Sequence, residues 1–315
     1  MNLEDRTLIT AKLESVYGTD LVPTAAANSI EVFELVTHTI EAEKKERKAS
    51  MPYGGTLAPK NIATAQKLSF KIFLKGSGTA GTPPAIDPIL RSCRLARTVV
   101  TSTSVSYLRH SDKTEDSCTI YYYEDGLLKK VTGCIGVIKA THQVGDYLIA
   151  DVEMTGLYTD AFVSDTALPT PTFEATEPLI IESGNFTFGA VDDLIISKFE
   201  WDLGHEVIKR PDFNSPKGIY GYYSKNAKAP SGSFDPEVVA LADWDPYDIA
   251  LESTQNDISI QVGSTAGNIV EIDLNNTVLE YPTTGSRDGI KTYECKFSAH
   301  ITNTAGNNEF ALIFT

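Results

Sequence analysis

Apolar and polar residues alternate along much of this chain, with the period of two that is typical of half-buried β-strands. The clearest alternations lie in residues 30–40, 66–74 and 194–203. Shorter runs that alternate or are rich in β-branched and aromatic residues predict further strands at 104–109, 118–123, 127–140, 147–158, 186–188, 258–262, 269–274, 278–281, 292–301 and 310–314. Residues 7–17 carry a weakly helical pattern instead. The chain is therefore predicted to be mainly β.

The same order of segments occurs in both halves of the chain. In the first half, the alternating run at 66–74 is followed by a Gly/Pro loop and a proline-flanked helix candidate at 85–93. In the second half, a Tyr-rich run at 218–223 leads through a Pro/Gly/Ser segment to a helix candidate at 235–242. Self-similarity over half of a chain indicates a duplicated module, which more often builds assemblies than active sites. From the pattern alone, duplication and coincidence are equally good explanations.

Two segments lack any core pattern and divide the chain. Residues 41–65 contain a dense mixed-charge run followed by MPYGG, and a stretch of this length without a core pattern predicts a projecting loop. Residues 159–184 are rich in Pro, Thr, Ala and Ser, which is typical of an extended connector. The predicted organisation is an N-terminal arm (1–27), a first domain (28–160), a Pro-rich linker (161–184) and a second domain (185–315).

Composition is that of a soluble globular protein. The 315 residues, 42% hydrophobic and 22% charged, suffice for two domains of roughly 100–200 residues each. No apolar run approaches the ~20 residues that span a bilayer, and the N-terminus lacks a signal-peptide pattern, so we expect no membrane contact and synthesis in a cytoplasm. The four cysteines have no CxxC spacing and are predicted to be free thiols. A net charge of −15 argues against sequence-driven nucleic-acid binding but permits DNA to pass nearby.

No motif for catalysis, a metal or a cofactor is present in the sequence. The five histidines are scattered without ligand spacing, and there is no Gly-x-Ser-x-Gly elbow. Residues 76–81 (GSGTAG) lack the Gly-Lys-Ser/Thr ending of a P-loop and are predicted to be a flexible inter-strand loop. Asp243 and Asp245 lack the remaining ligands of an EF-hand loop. The Tyr clusters at 121–123 and 220–223 suit base stacking, but on alternating strands they more often pack cores and interfaces. We predict neither an enzyme nor a cofactor.

Five segments in the first half, in order, resemble the tail tube proteins (major tail proteins) of long-tailed, non-contractile (siphovirus-type) bacteriophages. They are residues 11–30 (AKLESVYGTDLVPTAAANSI), 74–84 (LKGSGTAGTPP), 88–93 (PILRSC), 119–129 (TIYYYEDGLLK) and 151–158 (DVEMTGLY). The resemblance implies a β-sandwich or split-barrel domain with one short flanking helix, whose sheets join around a channel. Most of the family has one such domain and forms hexameric rings. Two tandem tail-tube-like domains per chain would let three chains form a trimeric ring with pseudo-sixfold symmetry.

The function implied by this resemblance is structural. The chain would be a virion protein that polymerises into stacked rings forming the phage tail tube, a conduit for DNA ejection, assembled in the host bacterial cytoplasm. Implied partners are further copies of itself, the tape measure, tail terminator and distal tail proteins, and DNA that passes through the lumen without specific binding. Two alternatives stay open: one tube domain followed by an immunoglobulin-like decoration domain, or a host-surface or glycan-binding β-module with exposed aromatic platforms.

Two sets of residues are predicted to carry this structural function. Contacts between rings are assigned to the first projecting segment and to its counterpart at 206–217, with the candidates Glu41, Glu43, Lys44, Lys45, Glu46, Arg47, Lys48 and Tyr53. Lumen-facing candidates are the polar strand positions Glu34, Lys71, Asp151, Glu153, Asp202 and Glu294. With 42 acidic against 27 basic residues, the lining is expected to be acidic or neutral with few lysines, because a basic lining would retain DNA.

Overall fold

A computed structural model describes residues 3, 5–112 and 116–315. Strands make up 53% and helices 6%, so the mainly β class predicted from the alternation is confirmed. The strands are β1 Thr7–Leu13, β2 Ser29–Ile30, β3 Val32–Arg47, β4 Leu57–Phe73, β5 Leu95–Val100, β6 Ser104–Arg109, β7 Cys118–Glu124, β8 Leu127–Gln143, β9 Ile149–Leu157, β10 Val163–Asp165, β11 Asn185–Phe188, β12 Lys198–Asp202, β13 His205–Pro211, β14 Ile219–Asn226, β15 Ser231–Phe234, β16 Asn256–Thr265, β17 Asn268–Leu279, β18 Thr283–Arg287, β19 Ile290–Ala299 and β20 Phe310–Phe314. The α-helices of the described residues are α1 Ala25–Asn28, α2 Asp87–Ser92 and α3 Pro246–Glu252.

The helix predicted at 235–242 is wrong, whereas the one at 85–93 corresponds to α2. The helix of the second half is α3, which begins eleven residues later than predicted, at Pro246 instead of Asp235. Asp235 does not cap a helix, because its carboxylate accepts the backbone N–H groups of Ser197 and Lys198 at 2.8 and 2.6 Å. Asp245 is the true N-cap: its side chain accepts two backbone N–H groups of the first turn, with a proline next in the chain.

Two further expectations at the N-terminal side are corrected. Residues 7–17 are not helical, because β1 pairs with β7 along its whole length and this pairing overrides a weak helical propensity. The projecting segment 41–65 is not a loop either. Strand β3 continues to Arg47 and β4 starts at Leu57, so the segment is a two-stranded ribbon. Because both faces of the ribbon's outer part are exposed, backbone pairing forms it without any hydrophobic alternation.

Both halves contain the same six antiparallel pairings in the same chain order. In the first half they are β1–β7, β7–β8, β8–β9, β4–β9, β3–β4 and β8–β10. In the second half they are β11–β16, β16–β17, β17–β19, β15–β19, β12–β15 and β17–β20. A bulge recurs as well: Thr132 and Gly133 of β8 lie opposite one residue of β7, and Asn275 and Asn276 of β17 lie opposite one residue of β16. Gly133 and Asn276 both have positive φ, as such bulges require.

The two halves share one sheet and one core. The end of β8 pairs with β12, from Lys139 opposite Asp202 to Gln143 opposite Lys198. This junction creates a continuous antiparallel sheet in the order β3-β4-β9-β8-β12-β15-β19-β18. The β5–β6 hairpin of the first half also pairs with β20, and the main apolar cluster contains buried residues of both halves. The predicted linker runs along the first half, where β10 pairs with β8.

The Gly-rich loop after β4 is docked on the β16–β17 turn and is held there by hydrogen bonds, contrary to the flexible loop predicted. The backbone N–H of Gly78 donates to the Gly267 carbonyl at 2.9 Å, and that of Gly76 donates to Asn268 Oδ1 at 2.9 Å. A Cβ on Gly76 would lie only 2.0 Å from the Gly267 carbonyl oxygen, a backbone atom that has little freedom to move. Contact between the halves therefore requires glycine here.

Gly76→Ala is expected to lower the free energy of unfolding by about 1–3 kcal/mol, because the added methyl group forces the two halves apart at this contact. Gly54→Ala is the matched control, since nothing lies within 4 Å of a Cβ at that position. Urea unfolding followed by tryptophan fluorescence measures both variants. Equal midpoints for the two would show that the loop contact adds nothing to stability.

Candidate functional site

One face of the eight-stranded sheet is charged, and the opposite face packs on the core. At the junction of the halves, Ile138 and Ala140 of β8 and Trp201 of β12 are buried, while Lys139 and Asp202 between them are exposed. The same alternation holds on the flanking strands β4, β9 and β19, and on β15 the charged face carries Ser231 and Ser233, which pair with Asp202 and Glu200 of β12. The charged face is therefore continuous across both halves of the chain.

All six lumen-facing candidates lie on this charged face. Cross-strand pairing places Lys71, Asp151, Lys139 and Asp202 in one row across four strands. Five of the candidates line one depression in the face, namely Glu34, Lys71, Asp151, Glu153 and Asp202. The sixth, Glu294, lies further along the face on β19, where its carboxylate is 3.8 Å from Lys296 Nζ.

The charge of this face is mixed, whereas few lysines were expected on the lumen side. Besides the acidic candidates it carries the lysines Lys67, Lys71, Lys139, Lys198 and Lys296. Several of these ammonium groups contact a carboxylate: Lys71 Nζ is 3.0 Å from Glu34, and Lys67 Nζ is 3.3 Å from Glu41. The physical reason is cross-strand repulsion, since carboxylates opposite one another on neighbouring strands would destabilise the sheet. Pairing leaves few lysine charges uncompensated.

The ring-contact candidates lie on the ribbon formed by β3 and β4. Glu41, Glu43, Lys44, Lys45, Glu46 and Arg47 are on the outer part of β3, and Lys48 and Tyr53 are in the turn at the tip. All of them are exposed, with 80% of the Tyr53 surface accessible. Their ion pairs, such as Lys45 to Glu43 at 2.6 Å, are exposed, so solvent and salt screen them and each adds little stability.

A second ribbon, formed by β13 and β14, stands beside the first. The Tyr222 hydroxyl of β14 donates to the Thr64 carbonyl of β4 at 2.9 Å, and Lys209 Nζ is 3.5 Å from the Glu43 carboxylate. The tip of this second ribbon carries Phe213, whose side chain is fully exposed. Sequence reasoning missed Phe213, although a lone aromatic residue among the turn formers of PDFNSP is the signal that marks it.

The charged sheet ends in an unpaired strand on each side. Within the described residues, β3 pairs only with β4 and β18 pairs only with β19. Thr37 and Thr39 of β3 are exposed, as are Thr283 and Gly285 of β18. An exposed edge strand presents free N–H and C=O groups to which another strand can add. The two outer edges are therefore candidate contact sites for another strand.

The junction of the halves contains a buried histidine. Trp201 Nε1 donates to His142 Nε2 at 2.9 Å, and the His142 ring stacks on Phe199. Burial lowers the pKa of His142 from 6.5 to about 4. Protonation would put a proton on the nitrogen that accepts the Trp201 bond, and a charge into the core.

Acid is therefore expected to weaken this junction. Between pH 6.5 and about 4 the unfolded chain binds a proton at residue 142 and the folded chain does not, so stability is complete above pH 6.5 and falls as pH falls. A shift of this size corresponds to about 3 kcal/mol. In His142→Gln, which keeps a neutral acceptor, the loss of unfolding free energy between pH 7 and 4 should be smaller by about that amount. His300 is exposed, so His300→Gln is the control. If the pH profile of His142→Gln equals that of the parent chain, His142 is not the cause of the loss of stability in acid.

The described residues contain no group of three or more His, Cys, Asp or Glu side chains placed to hold a metal ion. None of their helices is long and apolar enough to cross a membrane. All four cysteines are free thiols, and all four are buried. No protein-family model matches the chain, and a search of curated proteins found no match.

Proposed function

We propose that this protein is the structural subunit of a siphovirus-type phage tail tube, polymerising into stacked rings that conduct DNA during ejection. The observation that carries this proposal is the continuous sheet across both halves, with one charged face and an unpaired strand at each edge. Exposed edges are a liability in a monomer and a means of closure in a ring, because a closed sheet has no edges. The charged face would then line the channel.

The recurrent pairings support two tandem tail-tube-like domains, each a β-sandwich or split barrel with one short helix. Because one chain would supply two such modules, three chains would form a ring with pseudo-sixfold symmetry. The two ribbons would reach the next ring, with Tyr53 and Phe213 buried against it. The tape measure, terminator and distal tail proteins would meet the tube at its axis and ends.

Two observations favour this function over the alternatives. An immunoglobulin-like second half has no counterpart of α3, which lies between β15 and β16 as α2 lies between β4 and β7. A glycan-binding module would present aromatic platforms, but Tyr121, Tyr122 and Tyr123 are buried. In the second Tyr cluster, Tyr222 is buried, and the Arg210 guanidinium covers one face of the exposed Tyr220 ring. The exposed aromatics at the ribbon tips are single side chains.

Electron microscopy of the purified, concentrated protein tests the proposal. Rings and tubes with an axial channel are expected, and end-on class averages should show threefold symmetry with six similar lobes. Particles that remain single chains at every concentration and salt condition would overturn the proposal. Binding of such single chains to a glycan array would instead favour the host-surface alternative.

A further inference from the structure

We propose that one defined junction joins neighbouring copies: β18 of one chain pairs antiparallel with β3 of the next, with Thr283 opposite Thr39. This inference rests on the proposed self-assembly and adds the strands and the register. Its basis is the junction that the chain already makes inside itself, between β8 and β12. If the halves are equivalent, the outer edges of the sheet should repeat that inner junction.

The position of Thr39 follows from counting outward from the recurrent bulge. After the bulge, Ile135 pairs with Thr155 in the first half, and Val278 pairs with Ser298 in the second. Thr155 lies opposite Lys67, which lies opposite Thr39. Ser298 lies opposite Ser231, which lies opposite Asp202. Thr39 on β3 therefore occupies the place that Asp202 occupies on β12.

The position of Thr283 follows in the same way on the other edge. Lys139 pairs with Asp151, four residues before Thr155 on β9. Thr283 pairs with Glu294, four residues before Ser298 on β19. Thr283 therefore occupies the place of Lys139, and β18 corresponds to the end of β8. Since Lys139 lies opposite Asp202 within the chain, Thr283 is placed opposite Thr39 of the next chain.

The side chains that meet in this register are compatible. Thr283 faces Thr39 and Gly285 faces Thr37, so no like charges oppose each other, and Thr–Thr pairs favour antiparallel strands. The guanidinium of Arg287, at the end of β18, is paired within its own chain, 2.7 Å from the Asp235 carboxylate and 2.9 Å from the Glu237 carboxylate. Both strands are exposed at these positions and have no partner on their outer side within the described residues.

Cysteine cross-linking tests the register. Directly opposed residues of antiparallel strands have Cα atoms about 4.5–5.5 Å apart, which suits a disulfide. The double variant Thr39→Cys, Thr283→Cys should form covalent oligomers on mild oxidation, in a ladder that ends at three chains. The native cysteines are buried and should not compete. The positive control is the double variant Lys139→Cys, Asp202→Cys, whose two thiols should form a disulfide within one chain, so that the chain still runs as a monomer.

A one-residue shift provides the register control. In Thr39→Cys, Thr284→Cys the two thiols lie on opposite faces of the sheet, so no ladder should form. Tubes by microscopy without a Thr39–Thr283 ladder would overturn the junction and leave the proposed function standing. A ladder without tubes would support the junction and count against the tube. Absence of both, with the Lys139–Asp202 control closed, would overturn the two together.

Discussion

Shortening the β3–β4 ribbon is expected to abolish long tubes while leaving the subunit folded. Residues 45–60 would be replaced by Asn-Gly, joining Lys44 to Asn61, which lie directly opposite each other. Asn-Gly forms the tight turn that such a two-residue connection needs. None of the removed residues belongs to an apolar cluster, so the melting temperature should stay close to that of the parent chain. Tube length by microscopy is the measurement.

The reason to expect a large effect is that the β3–β4 ribbon has longer strands than the β13–β14 ribbon and carries an exposed tyrosine in its turn. Exposed ion pairs contribute little, so raised salt should shorten parent tubes only modestly, whereas loss of the buried tip contact should not be tolerated. The matched variant Tyr53→Ser, Phe213→Ser keeps both ribbons and removes only their aromatic tips. It should also shorten tubes. Tubes of normal length from the shortened chain would show that the ribbon does not join rings.

The period-two pattern predicted the charged face correctly because strand geometry leaves little freedom. Once residues such as Val152 and Trp201 are buried, their neighbours Asp151, Glu153 and Asp202 must lie on the opposite face. Antiparallel pairing then brings these positions into rows across the sheet. This is why five of the candidates, taken from four strands, lie on one face, whereas Glu34 has the parity of the buried Val36 and reaches that face through the bulge in β3. Alternation alone does not say which polar face lines a channel.

The helix of the second half, α3, could not be located from sequence because the Asp-Pro pair that marks a helix start occurs twice. Asp235-Pro236 and Asp245-Pro246 are equally good helix starts, and the choice depends on contacts distant in sequence. Arg287 Nη1 lies 2.7 Å from the Asp235 carboxylate, which holds residue 235 in an extended segment beside β12. The pairing of β6 with β20 was equally hidden. At the end of this pairing lies the buried ion pair between Arg109 and Glu309, whose charged atoms are 2.9 Å apart although the residues are 200 positions apart in the chain.

Reversing the charge of the sheet face is expected to turn a conduit into a tube that retains DNA. The triple variant Glu153→Lys, Glu200→Lys, Glu294→Lys changes the net charge by two at each of three positions of the charged face, from −15 to −9 per chain. Each of these positions lies opposite uncharged residues on the neighbouring strands, so the sheet itself gains no opposed like charges. Tubes would be assembled in the presence of linear DNA and treated with nuclease. Parent tubes should protect almost no DNA, because their lysines are largely matched by carboxylates. Tubes of the variant should protect fragments, because each added lysine that meets a phosphate releases counterions.

Salt and position separate this effect from non-specific binding. With about six or more phosphate contacts per ring, retention should fall by about 10³-fold or more between 50 and 200 mM salt. The control variant Glu182→Lys, Asp192→Lys, Asp193→Lys makes the same charge change at exposed residues off the sheet face. It should bind DNA only where nuclease can reach it. If the sheet-face variant protects no more DNA than this control, the charged face does not line the channel. It must then lie on the outer surface of the tube.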